Sequence, residues 1–165
     1  MFLKYYKLNT IFSEKNEIHV SRETLEVKMN EYYMNIAIKE AKKAYKYEEV
    51  PVGAVIIKDN KVIAKAFNKK EKTKNVIKHA EIIAISRACK KTQNWRLENC
   101  EIYVTMEPCM MCSGAIEQSR IKKIVYGVKN ENYGFTNQLK NIEIISQVCE
   151  KECRELVQSF FKKRR

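Results

Sequence analysis

A histidine, a glutamate and two cysteines are spaced in this chain like the residues of a catalytic metal site. His79 is followed two residues later by Glu81, and Pro108 directly precedes Cys109, with Cys112 three residues further on. Histidine and cysteine are the ligands that zinc prefers, and a catalytic zinc site leaves its fourth position open to water. The pattern therefore predicts a zinc ion held by His79, Cys109 and Cys112. Glu81 would carry protons for the water.

Each part of this pattern has a simpler explanation when it is taken alone. A C-x-x-C pair also occurs in redox proteins and structural zinc sites, and a chain with six cysteines contains a close pair easily. A single histidine is more often a core or surface residue than a ligand. A redox pair leaves His79 and Glu81 unexplained, and a structural zinc site has no use for the carboxylate of Glu81. The combination favours a catalytic metal site.

The composition is that of one globular domain with a basic surface. The chain has 165 residues, of which 45% are hydrophobic, and this length allows a real core. It contains no apolar run of membrane-spanning length, and its N-terminus is too polar for a signal peptide. These features predict a cytoplasmic protein that does not enter a membrane. The net charge of +12 fits an anionic partner such as a nucleic acid, although lysine is also common on solvated surfaces.

The hydrophobic pattern predicts the elements that position the site. A helix at 30–47 precedes two strands at 54–58 and 61–67, which a turn at Asp59 and Asn60 joins into a hairpin. The remaining pattern predicts strands at 101–105, 123–128 and 142–148, and helices at 81–89, 109–119 and 150–163. The helix at 81–89 is apolar nearly all round and is expected to be buried, and Gly114 is expected to pack closely against the sheet. This order predicts an α/β fold, a three-layer α/β/α sandwich with a central mixed five-stranded sheet.

The two ends of the chain carry weaker signals. Residues 1–28 show no strong periodicity, so they are interpreted as an N-terminal extension of unknown role, with His19 exposed and the catalytic domain at 29–165. Cys149 and Cys153 lie four residues apart on the apolar stripe of the last helix and are expected to pack rather than to bind metal.

From about Met29 to Arg165 the chain resembles the bacterial tRNA-specific adenosine deaminases of the TadA type, in the cytidine/deoxycytidylate deaminase superfamily. The H-x-E and P-C-x-x-C motifs occur throughout the zinc nucleobase deaminases. Other stretches resemble the tRNA enzymes more narrowly. They are E-V-P-V-G-A-V at 49–55, N-W-R-L-E at 94–98, V-T-M-E-P-C-M-M-C at 104–112, S-R-I at 119–121 and the tail F-F-K-K-R-R at 160–165.

The resemblance implies hydrolytic deamination of adenosine to inosine at the wobble position of a tRNA anticodon, by a zinc-bound hydroxide with Glu81 as proton shuttle. It implies one Zn²⁺ per subunit, a homodimer and the anticodon stem-loop as partner. By the same resemblance Asn68 contacts the purine, and Phe161 and Arg165 lie near the anticodon loop. Phe161 could equally pack in the core, because it lies on the apolar stripe of the last helix.

Two other functions stay open. A deaminase of free cytosine, guanine or a nucleotide would share every zinc residue, and a zinc-stabilised, non-catalytic RNA-binding subunit would share the ligands. The chain also departs from the family at Ile77-Lys78, where Pro-Thr is common, and at Asn130, where an acid is expected. The connection at 128–142 is short for a parallel crossover. Lys78 and the run Asn130-Glu131-Asn132-Tyr133-Gly134 resemble the catalytic subunit of the eukaryotic tRNA enzyme, which works with a non-catalytic partner, so homodimer and heterodimer both stay open.

Overall fold

A five-stranded mixed sheet forms the centre of the computed structural model, which describes residues 21–164. The strands are β1 Gly53–Lys58, β2 Lys61–Phe67, β3 Cys100–Met106, β4 Lys123–Val128 and β5 Glu143–Ile145, in the spatial order β2-β1-β3-β4-β5. β1 is antiparallel to β2 and β3, whereas β3, β4 and β5 are parallel to one another. The predicted mixed sheet is confirmed.

Helices cover both faces of this sheet. They are α1 Arg22–Ala44, α3 Ala80–Thr92, α4 Met110–Gln118 and α5 Glu150–Lys162, whereas the four-residue α2 Lys70–Thr73 lies in the connection from β2 to α3 and has no buried residue. Because side chains alternate along a strand, Ala54 and Ile56 of β1 pack with α3 and α4, whereas Val55 and Ile57 pack with α1 and α5. The predicted three-layer sandwich is confirmed. Between residues 21 and 164 no helix is long and apolar enough to cross a membrane.

Two glycines let the helices of one face lie directly on the sheet. A Cβ atom at Gly53 of β1 would lie 2.1 Å from the carbonyl oxygen of Ala37 in α1. A Cβ atom at Gly127 of β4 would lie 2.3 Å from Sγ of Cys153 in α5. No larger side chain fits at either position unless the backbone or the neighbouring side chain moves.

The first helix begins earlier than its pattern predicts. α1 begins at Arg22, and the hydroxyl of Ser21 caps it by accepting the backbone N–H of Thr24 at 3.2 Å. Residues 21–28 are exposed, so these turns carry no apolar stripe that a sequence pattern could detect. Residues 1–20, with His19 and most of the predicted extension, lie outside the described residues, as does Arg165.

The predicted hairpin and the short crossover are both present. Asp59 and Asn60 have φ angles of 49° and 59°, as a two-residue hairpin turn requires. β5 pairs in parallel with β4 but has three residues instead of the predicted seven. Residues 129–142 contain a 3₁₀ turn at Thr136–Gln138 and no α-helix. A loop therefore makes the crossover.

Two expectations about the other helical layer are wrong. A Cβ atom at Gly114 of α4 would meet nothing within 4 Å among residues 21–164, so close packing does not explain this glycine. Helix α3 is not buried all round, because Ile82, Ile83 and Ile85 are only partly buried. Its sequence is apolar on more sides than the sheet covers.

Candidate active site

The N-termini of α3 and α4 meet beyond the C-terminal end of β3, the central strand of the sheet. His79 directly precedes α3 with an extended backbone (φ −71°, ψ 153°), and Cys109 precedes α4 in the same way (φ −74°, ψ 172°). Both are therefore N-cap residues, so the helix predicted from Cys109 begins one residue later. A helix N-terminus carries unpaired N–H groups and the positive end of the helix dipole. Two such ends favour negatively charged thiolates at this end of β3.

His79, Cys109 and Cys112 bring three metal-binding atoms together, as the spacing predicts. Nδ1 of His79 lies 3.8 Å from Sγ of Cys109 and 3.5 Å from Sγ of Cys112. All three atoms lie within 4.8 Å of one another. Tetrahedral zinc with ordinary bond lengths places nitrogen and sulfur ligands about 3.6 Å apart. The group is thus positioned for a metal ion, and its donor set fits zinc.

The two thiols share their protons unequally. Hydrogen bonds from Cys112 and His79 lower the pKa of Cys109 to about 4. The hydrogen bond with Cys109 and burial raise the pKa of Cys112. The hydrogen bond with Cys109 also raises the pKa of His79. A metal ion binds cysteine as thiolate, so a cation among these atoms would take the place of the shared protons.

Glu81 places a buried carboxyl group beside these three residues. Its side chain is 4% exposed, and its Oε2 atom has no hydrogen-bond partner among residues 21–164. Burial raises the pKa of this carboxyl, and the nearby charge of His79 opposes that rise. A buried carboxylate oxygen without a partner is costly, whereas a bound cation would favour the ionised form. This orphaned atom therefore fits a site that holds a metal ion and polar ligands.

The position of His79 explains how it and Glu81 reach the same site. Residues two apart on a regular helix do not share a face. Because His79 lies outside α3 and Glu81 lies in its first turn, their side chains need not follow helical spacing.

A second buried carboxylate, which the sequence pattern did not single out, holds the loop beside Cys109. Glu107 is 5% exposed, and its carboxylate accepts hydrogen bonds from the backbone N–H of Asn130 and from the N–H and hydroxyl of Thr136, at 3.2, 3.3 and 2.6 Å. Cys109 forms an isolated β-bridge with Gly134 of this loop. A Cβ atom at Gly134 would lie 2.2 Å from Oε2 of Glu107. The glycine in the 130–134 run was the one available sign of this close approach.

The predicted substrate contacts fall in two places. Asn68 follows β2 and is 8% exposed, and its Oδ1 accepts the backbone N–H of Ala80 at 2.9 Å, so it lies beside the metal-binding group. Phe161 lies on α5 and is 50% exposed, so the alternative that it packs in the core is wrong. Arg165 lies outside the described residues. Arg164 donates to the carbonyl oxygen of Glu48 at 2.7 Å, which holds the end of the tail against the α1–β1 connection.

Comparisons with known proteins agree with this geometry. A family model described as MafB19-like deaminase matches residues 28–165. The tRNA-specific adenosine deaminase of Bacillus subtilis (strain 168) is 42% identical over 146 residues, which cover 82% of this chain and 91% of that protein. The enzyme of that name from Aquifex aeolicus (strain VF5) is 40% identical over 144 residues, which cover 82% and 95%. This chain belongs to the tRNA-specific adenosine deaminase family.

Solved structures place the family in its wider fold. A structure from a study of A-to-I editing by tRNA:A34 deaminases at the wobble position matches with a TM-score of 0.71 and 33% identity, over 76% of this chain and 98% of that one. The guanine deaminase of Bacillus subtilis matches with a TM-score of 0.58 and 34% identity, over 62% and 66%. The predictions of a deaminase fold and of a hydrolase acting on C–N bonds are confirmed.

Proposed function

We propose that this protein deaminates adenosine to inosine at the wobble position of a tRNA anticodon, with Glu81 as the group that moves protons. The observation that supports the catalytic role of Glu81 most strongly is its buried carboxyl oxygen, which has no hydrogen-bond partner among residues 21–164 and lies beside the three converging ligand atoms. A non-catalytic zinc subunit would have no use for that carboxyl.

His79, Cys109 and Cys112 would hold one Zn²⁺ per subunit. When bound, zinc lowers the pKa of a water molecule towards about 7. Glu81 takes the proton of the water that attacks C6 of adenine. It delivers this proton to N1 of the ring, and it then moves the second proton of that water from the new C6 hydroxyl to the amino group, which leaves as ammonia while the C6 carbonyl forms. The NH₂ group of Asn68 holds the purine by donating to a ring nitrogen.

The test is inosine formation in a tRNA transcript that carries adenosine at the wobble position. Zinc-loaded wild type should convert this adenosine, which sequencing reads as an A-to-G change. Glu81→Gln should keep zinc but lose about 10²- to 10⁴-fold in rate, as expected for the loss of a general acid–base. Glu117→Gln, an exposed position on α4, is the matched control and should behave like wild type. Full activity of Glu81→Gln would contradict the proposed mechanism.

A deaminase of free bases is the second candidate, and the similarity to a guanine deaminase favours it. The net charge of +12 and the basic, aromatic tail favour RNA. Direct assays on free guanine, cytosine and adenosine separate the two candidates. Turnover of a free base without turnover of tRNA would favour the second.

The proposal extends to the assembly and the compartment. The partly exposed isoleucines of α3 and the open surface at Gly114 of α4 support a homodimer built on this helical layer. Sedimentation of the zinc-loaded protein tests this, and a monomer that becomes active only with a second polypeptide would instead indicate a heterodimer. The proposed compartment is the cytoplasm, because the proposed substrate is a tRNA and because the metal-binding cysteines must stay reduced to bind zinc.

A further inference from the structure

Two aromatic rings lie side by side at the β2 edge of the sheet. Tyr47 follows α1 and is 40% exposed, and Phe67 is the last residue of β2 and is partly exposed. Their ring centroids are 5.9 Å apart and their planes differ by 8°. Proteins use such exposed rings to stack unpaired bases of single-stranded RNA.

Lysine side chains lie over both rings. Nζ of Lys72 lies 3.9 Å from the ring centroid of Tyr47, and Nζ of Lys69 lies 5.2 Å from that of Phe67. The lysines of the connection from β2 to α3, between which Glu71 is the single acid, are Lys69, Lys70, Lys72, Lys74 and Lys78. An ammonium group has three donors, so these lysines can bind phosphate oxygens while they remain near the rings.

A buried carboxylate holds the two segments of this surface together. Glu49 is 1% exposed, and it accepts the backbone N–H of Glu71 at 3.0 Å and that of Lys72 at 2.8 Å. Tyr47 precedes Glu49 by two residues. The backbone of Lys72 is therefore held by the buried Glu49 carboxylate. The position of Lys72 over Tyr47 does not depend only on the contact between the Lys72 and Tyr47 side chains.

This surface adjoins the candidate active site. Phe67 directly precedes Asn68, and consecutive Cα atoms are ~3.8 Å apart. Asn68 in turn contacts Ala80, the neighbour of the ligand His79. Next to Tyr47, the carbonyl oxygen of Glu48 accepts the guanidinium of Arg164. The aromatic pair thus lies between the residue that borders the metal-binding group and the basic tail.

We infer that Tyr47, Phe67, Lys69 and Lys72 form a second RNA contact beside the active site. An unpaired base next to the target adenosine stacks on the aromatic pair, and the ammonium groups of the two lysines move from the ring faces to its flanking phosphates. The inference rests on the proposed function in taking a tRNA anticodon loop as the ligand. The contact itself does not require the chemistry at Glu81.

The experiment measures binding of an anticodon stem-loop RNA to the zinc-loaded Glu81→Gln protein by fluorescence anisotropy at several salt concentrations. Tyr47→Leu, which removes the ring but keeps apolar bulk, should raise Kd about 5- to 150-fold, the equivalent of one stacked base. Tyr47→Phe should bind like the parent. Lys72→Gln should reduce the slope of log K against log salt by about 0.7. Lys61→Gln, at the opposite end of the same strand as Phe67, beside the β1–β2 turn, is the control and should change neither quantity.

Equal weakening by Tyr47→Leu and Tyr47→Phe, or no effect beyond that of Lys61→Gln, would overturn the inference. If Tyr47→Leu lowers the melting temperature, its weaker binding could reflect unfolding. The salt dependence of binding by Lys72→Gln then tests the inference, and an unchanged slope would overturn it. A wild type that binds through Tyr47 but forms no inosine would contradict the proposed function and leave the contact standing. If the wild type forms inosine but Tyr47→Leu and Lys72→Gln leave RNA binding unchanged, the RNA contact is contradicted and the proposed function is not.

Discussion

Oδ1 of Asn68 accepts a hydrogen bond from the backbone N–H of Ala80 at 2.9 Å. Ala80 is the first residue of α3 and follows His79, so this bond fixes the end of β2 beside the metal-binding group. This bond uses only one of the two polar groups of the Asn68 side chain. The carbonyl oxygen is used inside the protein, and the NH₂ group is left as the donor that can reach a purine.

Two substitutions of Asn68 should separate these roles. Asn68→Asp keeps an acceptor for Ala80 but loses both donors, so kcat/KM on tRNA should fall by about 10- to 100-fold with little change in melting temperature. Asn68→Ala loses the acceptor as well and should also lower the free energy of unfolding by about 1–3 kcal/mol. Single-turnover kinetics and thermal unfolding measure the two effects. An active Asn68→Asp protein would show that the donors do not contact the substrate.

Metal binding should depend on Cys112 and not on every buried cysteine. Cys112→Ala removes one of three converging ligand atoms, so zinc content should fall from one ion per chain to near zero. Chelation should likewise abolish turnover and lower the melting temperature, and added zinc should restore both. Cys153→Ala is the control, because Cys153 is fully buried between α5 and β4. Elemental analysis of purified proteins measures the outcome, and a zinc-free Cys153→Ala protein would contradict it.

Glu107 should stabilise the loop that borders Cys109. Glu107→Gln places an NH₂ group opposite N–H or O–H donors and should lower the free energy of unfolding by about 1–3 kcal/mol. It should also speed zinc loss, because the loop pairs with Cys109. Glu131→Gln, in the same loop but exposed, serves as the control. Denaturant unfolding and transfer of zinc to a chelating dye provide the measurements, and equal behaviour of the two variants would contradict this role.

The metal-binding group was predictable because its chemistry is carried by residue type and spacing. His79, Cys109 and Cys112 needed only an alternating order of strands and helices to converge. The role of Glu107 was not predictable in this way. Its partners Asn130 and Thr136 lie more than twenty positions along the chain, and a buried carboxylate is not distinguishable from a solvated one by sequence.

Burial at the helix faces was only partly predictable for a related reason. The apolar stripe of α5 includes both Phe160 and Phe161, but a stripe does not say where the sheet beneath it ends. The pattern in α3 is apolar on more sides than one sheet can cover, and a Cβ atom at Gly114 in α4 would meet nothing within 4 Å among residues 21–164. Burial of the partly exposed isoleucines of α3 and of Gly114 depends on what contacts the outer surface of the layer that α3 and α4 form.

Gly114→Ala should reveal whether that surface is free. Alanine is favoured over glycine in a helix interior by about 0.8–1 kcal/mol, and the Cβ atom meets nothing among residues 21–164. The free energy of unfolding should therefore rise by roughly that amount if the site is solvated. A homodimer packed closely on α4 would instead weaken, which sedimentation detects. Ser86→Ala, an exposed position on α3, controls for general effects of helix propensity.

Phe160 and Phe161 should affect different properties although they are neighbours. Phe160 is 5% exposed and packs edge-on against Tyr45, with centroids 6.1 Å apart, so Phe160→Ala should lower the free energy of unfolding by about 3–5 kcal/mol. Phe161 is half-exposed, so Phe161→Ala should cost at most about 1 kcal/mol, its edge contact with Phe160. It should instead raise Kd for the stem-loop RNA, by about 5- to 150-fold if one base stacks there. Denaturant unfolding and anisotropy measure the pair, and unchanged RNA affinity in Phe161→Ala would contradict the prediction that this residue contacts the anticodon loop.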